Sequence, residues 1–392
     1  MKFDFETILD KRGLSSTKWL WMKEKNSNVP EGIVPFSVAD MEFKLAPALT
    51  SGLKDCIKRS FLGYTRADDE YYEAVISWFK RRHNLKIRKS TIITTPGVVF
   101  ALQTAIRAFS NVGDSIIIMP PVYYPFFSVT QKTGRKVLEN RLNFKDGMYS
   151  INFKDLEKKA KEAKILILCN PHNPVGRVWS KDELTKIGEI CYKNQVLVIS
   201  DEIHCDLVMS KHKFTPFMSL DKKFRSITCT APSKSFNIAG LQASNIIIKD
   251  KNLRNLYKKE LEKVGIRSLN TLAYEAVKIS YNECEEWLDE ALKVIETNRN
   301  LVQNFIKERI SVIKVCDMEG TYLMWLDFRE LGLSCKELEK FMVKDALIFS
   351  DEGYIFGKNG RGFERINIAC PTKVIQDAFK RLEKALKIRK FI

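Results

Sequence analysis

The chain has 392 residues, 45% of them hydrophobic and 29% charged, a composition that excludes disordered and fibrous classes and allows more than one buried core. Its formal net charge is +17, but the excess is mostly lysine spread along the whole length, not an Arg-rich arm or tail. That distribution reads as solvated surface with some attraction for anionic ligands, and no nucleic-acid partner is expected.

The nine cysteines form no Cys-x-x-Cys pair. Several lie inside apolar runs (Cys169, Cys191, Cys370), and the four histidines stand in no metal-like spacing with them. Reduced thiols in a cytoplasmic protein are expected, without a disulfide framework or a metal site. The first residues carry acids and no apolar core, so no signal peptide is expected. No apolar stretch approaches the roughly 20 residues of a membrane span.

Residues 1–45 read as an irregular arm with exposed aromatics at Trp19 and Trp21, ending in the apolar stretch 33–43. Such an arm needs a surface to lie against, in its own C-terminal region or in a partner subunit. Helices are expected over 47–59 and 69–82, on either side of Gly63-Tyr64-Thr65. Residues 91–98 read as a strand meeting a turn, and 99–109 has helical spacing. Pro96-Gly97-Val98 then places backbone N–H groups at a helix N-terminus, a ready anion site. A short apolar strand over 115–119 is stopped by Pro120-Pro121. Tyr123 and Tyr124 follow it, either as a face for a planar ring or as core.

A charged helix over 155–163 leads to a buried strand over 164–169. That strand ends in the turn Asn170-Pro-His-Asn-Pro-Val-Gly-Arg177. Ser180 and Glu183 make a capping-box pattern for a helix over 181–192. Strands follow over 195–200, with Asp201 and Glu202 at its carboxyl end, and over 226–230. Lys234 stands just beyond the latter, in Ala231-Pro-Ser-Lys-Ser-Phe-Asn237.

Apolar strands alternating with helices predict an α/β fold whose mostly parallel sheet is covered on both faces. The crevice at the carboxyl ends of its strands would collect Gly97, Tyr123, Asn173, Asp201 and Lys234. Beyond about residue 280 long charged helices (284–307, 334–344, 373–387) flank short strands over 320–327 and 363–369. Their alternation points to half-buried, partly antiparallel strands. The expected division is an arm over 1–45 joining the smaller C-terminal domain, a large domain over 46–280, and a small α+β domain over 281–392.

A lysine at a strand end can form a Schiff base with a carbonyl, of a substrate or of pyridoxal phosphate. That cofactor needs an acid beside its ring nitrogen, a stacking ring, a partner for its phenolic oxygen and a phosphate cradle. Lys234 is the lysine, and Asp201, Tyr123 and Asn173 fill the first three of these roles. Gly97, Val98 and Ser233 supply the cradle. Arg365, with a planar fork that matches a carboxylate, would bind an amino-acid substrate. Each residue alone has an ordinary structural reading, as a cap, a turn or a surface group. Their convergence from independent segments favours a site.

Asn170–Gly176, Ser200-Asp-Glu-Ile-His204, Ala231–Asn237 and Arg365-Ile-Asn-Ile-Ala-Cys-Pro371 resemble the class I/II aminotransferase superfamily of fold type I. Residues 34–43, Gly63-Tyr-Thr65, 121–127, Glu319-Gly-Thr-Tyr-Leu323 and Asp351–Gly357 are similar to its MalY/PatB branch of carbon–sulfur β-lyases, cystalysin-type members in particular. The resemblance implies a large domain on a seven-stranded-type sheet, bound pyridoxal 5′-phosphate, and a homodimer with shared sites in which Tyr64 reaches the neighbouring subunit's phosphate. It adds His204 and Thr230 to the cofactor contacts, and Tyr124 and the segment 36–41, Ala39 included, to the substrate pocket. Two positions depart from many aminotransferases: Gln242 stands where a phosphate-binding Arg is common, and Ala231 where a Ser is.

The implied reaction is α,β-elimination from L-cystathionine and other L-cysteine S-conjugates, giving a thiol, pyruvate and ammonia. Lys234 would act as the base, with Tyr123, Tyr64 and Lys234 itself as rival proton donors to the sulfur. An aminotransferase would use the same residues and need a 2-oxo acid. A third reading is a regulator that binds a transcription factor through its surface.

Overall fold

Three helices precede the first sheet: α1 (Thr17–Lys25), α2 (Pro47–Lys58) and α3 (Asp69–His83). The computed structural model describes residues 2–59 and 61–392. The arm is therefore not irregular throughout. Trp19, expected at the surface, is buried with Met22 on the inner face of α1, while Trp21 on the outer face stays 41% exposed. Charge placement explains why α3 forms. The Asp68 side chain accepts from the Tyr71 amide, Asp69 and Glu70 occupy the first turn and Lys80, Arg81 and Arg82 the last, each favourable to the helix dipole.

Strand β1 (Ile92–Thr95) leads through Gly97 into α4 (Val98–Phe109), and β2 (Ser115–Ile118) into α5 (Pro125–Lys132) and β3 (Lys136–Glu139). A hairpin of β4 (Asn143–Lys145) and β5 (Met148–Ser150) comes next, then α6 (Phe153–Ala160), β6 (Ala163–Cys169), α7 (Lys181–Lys193) and β7 (Leu197–Asp201). The capping box at Ser180 and Glu183 forms in both directions. Strands β8 (Ser226–Thr230) and β9 (Ser244–Ile247) complete a seven-stranded sheet of order β1-β9-β8-β7-β6-β2-β3. All neighbours in it run parallel except β9, which is antiparallel to β8 and to β1.

Both faces of this sheet are buried, which is why its strands read as unbroken apolar runs. Ile118, Ile167, Ile199 and Ile227 share one apolar cluster with Leu102 and Ile106 of α4. Ile117, Leu168 and Val198 point the other way, into a cluster with Leu156 of α6 and Leu184 and Ile187 of α7. Each such side chain contributes about 1.5–3 kcal/mol by leaving water. The register aligns Cys169 with Asp201 and Asp201 with Cys229. Asp201 therefore sits level with the carboxyl ends of three adjacent strands.

Helices α8 (Lys251–Lys263), α9 (Thr271–Glu283) and α10 (Glu285–Arg309) lead to a second sheet. It consists of β10 (Lys314–Val315), β11 (Leu323–Asp327), β12 (Asp351–Glu352) and β13 (Phe363–Asn367), with α11 (Cys335–Lys340) before β12 and α12 (Thr372–Ile388) closing the chain. Its order is β10-β11-β13-β12, antiparallel throughout. Strands β11 and β13 are not half-buried but buried along their whole length. Met324 faces the cluster shared with α10 and α12, and Trp325 stacks on Phe363 at 5.2 Å beside Phe356. The expected helix over 334–344 is split, with a π-helical turn over Phe341–Asp345 after α11. Phe5, Trp19, Met22, Phe36 and Phe43 share one cluster with Trp287 and Leu288 of α10 and Phe379 and Leu382 of α12. Among the described residues no helix is long and apolar enough to cross a membrane.

Candidate active site

The carboxyl ends of β6, β7 and β8 open into a cleft of about 360 Å³, lined by Gly97, Val98, Tyr123, Tyr124, Asn173, Asp201, His204, Ser233, Lys234 and Arg365, and on the arm side by Ala39. A larger cavity of about 630 Å³ lies among residues 8–34. It gathers none of these groups, so chemistry and not volume identifies the site.

Lys234 follows β8 on the loop that leads to β9. Its Nζ donates to the Ala39 carbonyl at 2.8 Å and lies 3.9 Å from an Asp40 carboxylate oxygen. Burial lowers its pKa and the Asp40 charge opposes that shift, while the Arg365 charge reinforces it. Asp201 is buried, accepts from the Ile203 amide at 3.1 Å, and has its pKa pushed up to about 7 by burial. A buried carboxyl with one amide donor and a lysine nearby is prepared to face a protonated ring nitrogen, whose charge would restore its ionised form.

Arg365 comes from β13. One terminal nitrogen donates to Asn173 Oδ1 at 2.9 Å and the other to Asp351 Oδ2 at 2.5 Å, while its Nε is buried without a partner. Asp351, paired with Arg365 across β12 and β13, also accepts from the Val38 amide at 3.0 Å. The arginine is thus neutralised and aimed, with its Nε–H left without a partner. His204 is buried too, its Nδ1 without a partner and its ring edge-on to Tyr322. Burial depresses its pKa to about 3, so the ring is neutral.

At the other end of the cleft Gly97 precedes α4 with φ +93, a conformation open to glycine, and a Cβ there would meet nothing within 4 Å. Its own amide is engaged with the Thr95 carbonyl at 2.8 Å. The Val98 amide and the rest of the first turn of α4 remain for an anion, with Ser233 beside them. The Tyr123 amide donates to the Asn173 carbonyl at 3.0 Å, tying the two expected ring contacts together.

One expected residue is not brought into the cleft, and Tyr64, expected at the neighbouring subunit's site, lies outside its own. The Thr230 hydroxyl donates to the Asn245 carbonyl at 3.0 Å inside the sheet. Tyr64 is fully exposed between α2 and α3, away from its own chain's cleft. Conversely, Asp351, Thr17 and Trp21 line the cleft although sequence reasoning did not place them there, while Asp40 lies in the segment 36–41 expected to border the substrate. Nothing local to Asp351 announces a partner on the next strand.

The chain belongs to the aminotransferase class I and II family, whose model matches residues 31–382. Within it the likeness is to carbon–sulfur lyases. The chain is 41% identical to the cystathionine beta-lyase PatB of Bacillus subtilis, over 98% of this chain and 100% of that one. It is 30% identical to the protein MalY of Escherichia coli, over 98% and 99%. The crystal structure of cystalysin from Treponema denticola, which contains a pyridoxal 5′-phosphate cofactor, superposes with a TM-score of 0.97 at 47% identity, covering 99% of this chain and 100% of that one.

Proposed function

We propose that the chain is a pyridoxal 5′-phosphate-dependent carbon–sulfur β-lyase that releases a thiol, pyruvate and ammonia from L-cystathionine and related L-cysteine S-conjugates. The observation that carries this reading is Lys234, with its lowered pKa, held in one cleft with Asp201 and the half-satisfied Arg365. The similarity to PatB and cystalysin turns a general amino-acid site into a lyase. The residues fit the cofactor: an amine, a buried carboxyl, an aromatic wall at Tyr123, and a helix N-terminus beside Ser233 and an open glycine turn.

The bound cofactor supplies an electron-withdrawing ring that accepts the charge released at the substrate Cα. The chain does the rest. The Arg365 fork takes the α-carboxylate, with Asn173 and Asp351 fixing its plane. Asp201 holds the proton on the ring nitrogen. Lys234 Nζ, made a better neutral base by burial, takes the Cα proton, and the thiolate departs from Cβ. Arg365→Lys should raise KM for S-substituted cysteines by about 100-fold with a smaller change in kcat, because an ammonium cannot reproduce the fork. Steady-state kinetics on the pure protein would read it, and an unchanged KM would remove Arg365 from the substrate.

The decisive assay gives the purified protein cystathionine with no added keto acid. Pyruvate and homocysteine in equal amounts are expected. Turnover only in the presence of a 2-oxo acid would make it an aminotransferase instead.

The dimer and the location belong to the same reading. Ile57, Phe61, Leu62 and Tyr64 form an exposed apolar stretch, and Tyr64 would complete the partner's phosphate site. Mixing inactive Tyr64→Ala and Lys234→Ala chains should restore about a quarter of wild-type activity, since half the dimers are mixed and each carries one intact site. No recovery would sink the shared-site dimer. The nine free thiols support a cytoplasmic enzyme.

A further inference from the structure

The segment Val38–Met41 crosses the mouth of the cleft with its backbone fully determined. Asn367 Nδ2 donates to the Val38 carbonyl at 2.8 Å and to the Asp40 carbonyl at 2.7 Å. Lys18 Nζ adds a bond to the Asp40 carbonyl at 2.9 Å. Tyr322 Oη donates to the Ala39 carbonyl at 2.7 Å, and Asn237 bonds both the amide and the carbonyl of Met41. Val38, a β-branched residue, is held at φ +54, a strained conformation that persists only where its surroundings impose it.

Against this fixed backbone one side chain is free. Asp40 is 40% exposed within the cleft, no described side chain hydrogen-bonds its carboxylate, and its nearest cation is Lys234 Nζ at 3.9 Å. The other two carboxylates of the cleft are bonded, Asp201 to the Ile203 amide and Asp351 to Arg365 and the Val38 amide. Lys234 is the group that an incoming amine must replace. The substrate nitrogen therefore has to arrive beside the Asp40 carboxylate, just where that carboxylate loses the cation next to it. Arg365, with its unpartnered Nε, stands on the other side of the same space.

We propose that Asp40 and Arg365 capture the substrate as a zwitterion, Asp40 holding the α-ammonium group and Arg365 the α-carboxylate. The inference rests on the β-lyase reading for its substrates and concerns binding alone. It makes the site selective for free α-amino acids, whatever the sulfur carries, and poor for carboxylates that lack the amine.

The test uses the cofactor-loaded protein and the isosteric variant Asp40→Asn, with Asp40→Ala as a second replacement. S-methyl-L-cysteine and cystathionine serve as substrates. The amine-free acid 3-(methylthio)propionate serves as a ligand whose dissociation constant is read by calorimetry. Loss of a charge-assisted contact should raise KM for both amino acids by roughly 10- to 100-fold, with kcat little changed. Binding of the amine-free acid should stay the same or tighten, because the variant removes an unpaired negative charge. The opposite signs separate lost recognition from a damaged site.

An unchanged KM overturns the proposal. A rise for cystathionine alone also overturns it, since Asp40 would then read the leaving half. Equal weakening of the amine-free acid, or a loss confined to kcat, overturns it too. If the wild-type protein releases no pyruvate from either substrate, the β-lyase reading fails on its own. The contrast in calorimetric affinity between S-methyl-L-cysteine and its amine-free analogue still decides the role of Asp40.

Discussion

Lys234→Ala should abolish thiol and pyruvate release, with a loss of at least about 10⁴-fold, since on the proposed reaction the substitution removes the Cα base and the covalent anchor together. The variant should still fold. Lys234 is half-buried, its charged form destabilised by lost hydration, and its one hydrogen bond is to the Ala39 carbonyl. Removing a desolvated cation is not expected to lower the melting temperature of the cofactor-free chain. Two measurements therefore separate: pyruvate release falls to background while thermal unfolding stays put. Turnover near the wild-type rate would refute the assignment of Lys234 outright.

Asp201→Asn should cost about 10³-fold in kcat, because an amide cannot hold a proton on the ring nitrogen by charge. Stability should move the other way in the cofactor-free chain, and the sign comes from the pKa. Asp201 rises from an ordinary 3.8 to about 7 on burial. Below pH 4 the carboxyl is protonated in both folded and unfolded states and contributes nothing. Between pH 4 and pH 7 only the unfolded chain ionises freely, so stability is lost as pH rises, and the full cost stands above pH 7. The cofactor-free variant should melt roughly 5 °C above wild type at pH 8 and level with it at pH 4. Cofactor binding should reverse the order by supplying the missing cation. A pH-independent difference would mean that Asp201 titrates normally.

Much of this site is legible in the sequence because its residues lie at the ends of strands that announce themselves. The runs through Ile117, Leu168 and Val198 are unbroken because the sheet is buried on both faces, and residues just beyond such a strand in an open α/β sheet line the crevice. Asp201, Asn173 and Lys234 stand out in that way. The reversal of β9 does not, since an apolar run carries no direction. Helix α1 is obscured for a local reason: Ser16 makes no side-chain cap, and the buried Lys18 interrupts the apolar face. Lys18 is inside because Glu42 Oε1 lies 2.8 Å from its Nζ and the Asp40 carbonyl accepts from it. Both partners are distant in sequence. Asp351 is hidden likewise, because the group that gives it meaning, Arg365, arrives only through the fold.

The antiparallel return of β9 beside β8 has a mechanical consequence for the lysine. The loop over 231–243 that carries Lys234 leaves one strand and re-enters its immediate neighbour, with Thr230 facing Asn245 across the pair. A segment tethered at both ends to adjacent central strands has little slack and little entropy to lose on ordering. Lys234 can swing through its side-chain torsions, but its Cα cannot drift unless the middle of the sheet opens. On the proposed reaction, the amine is thus mounted on a loop held at both ends by paired strands, and its travel is left to four methylenes.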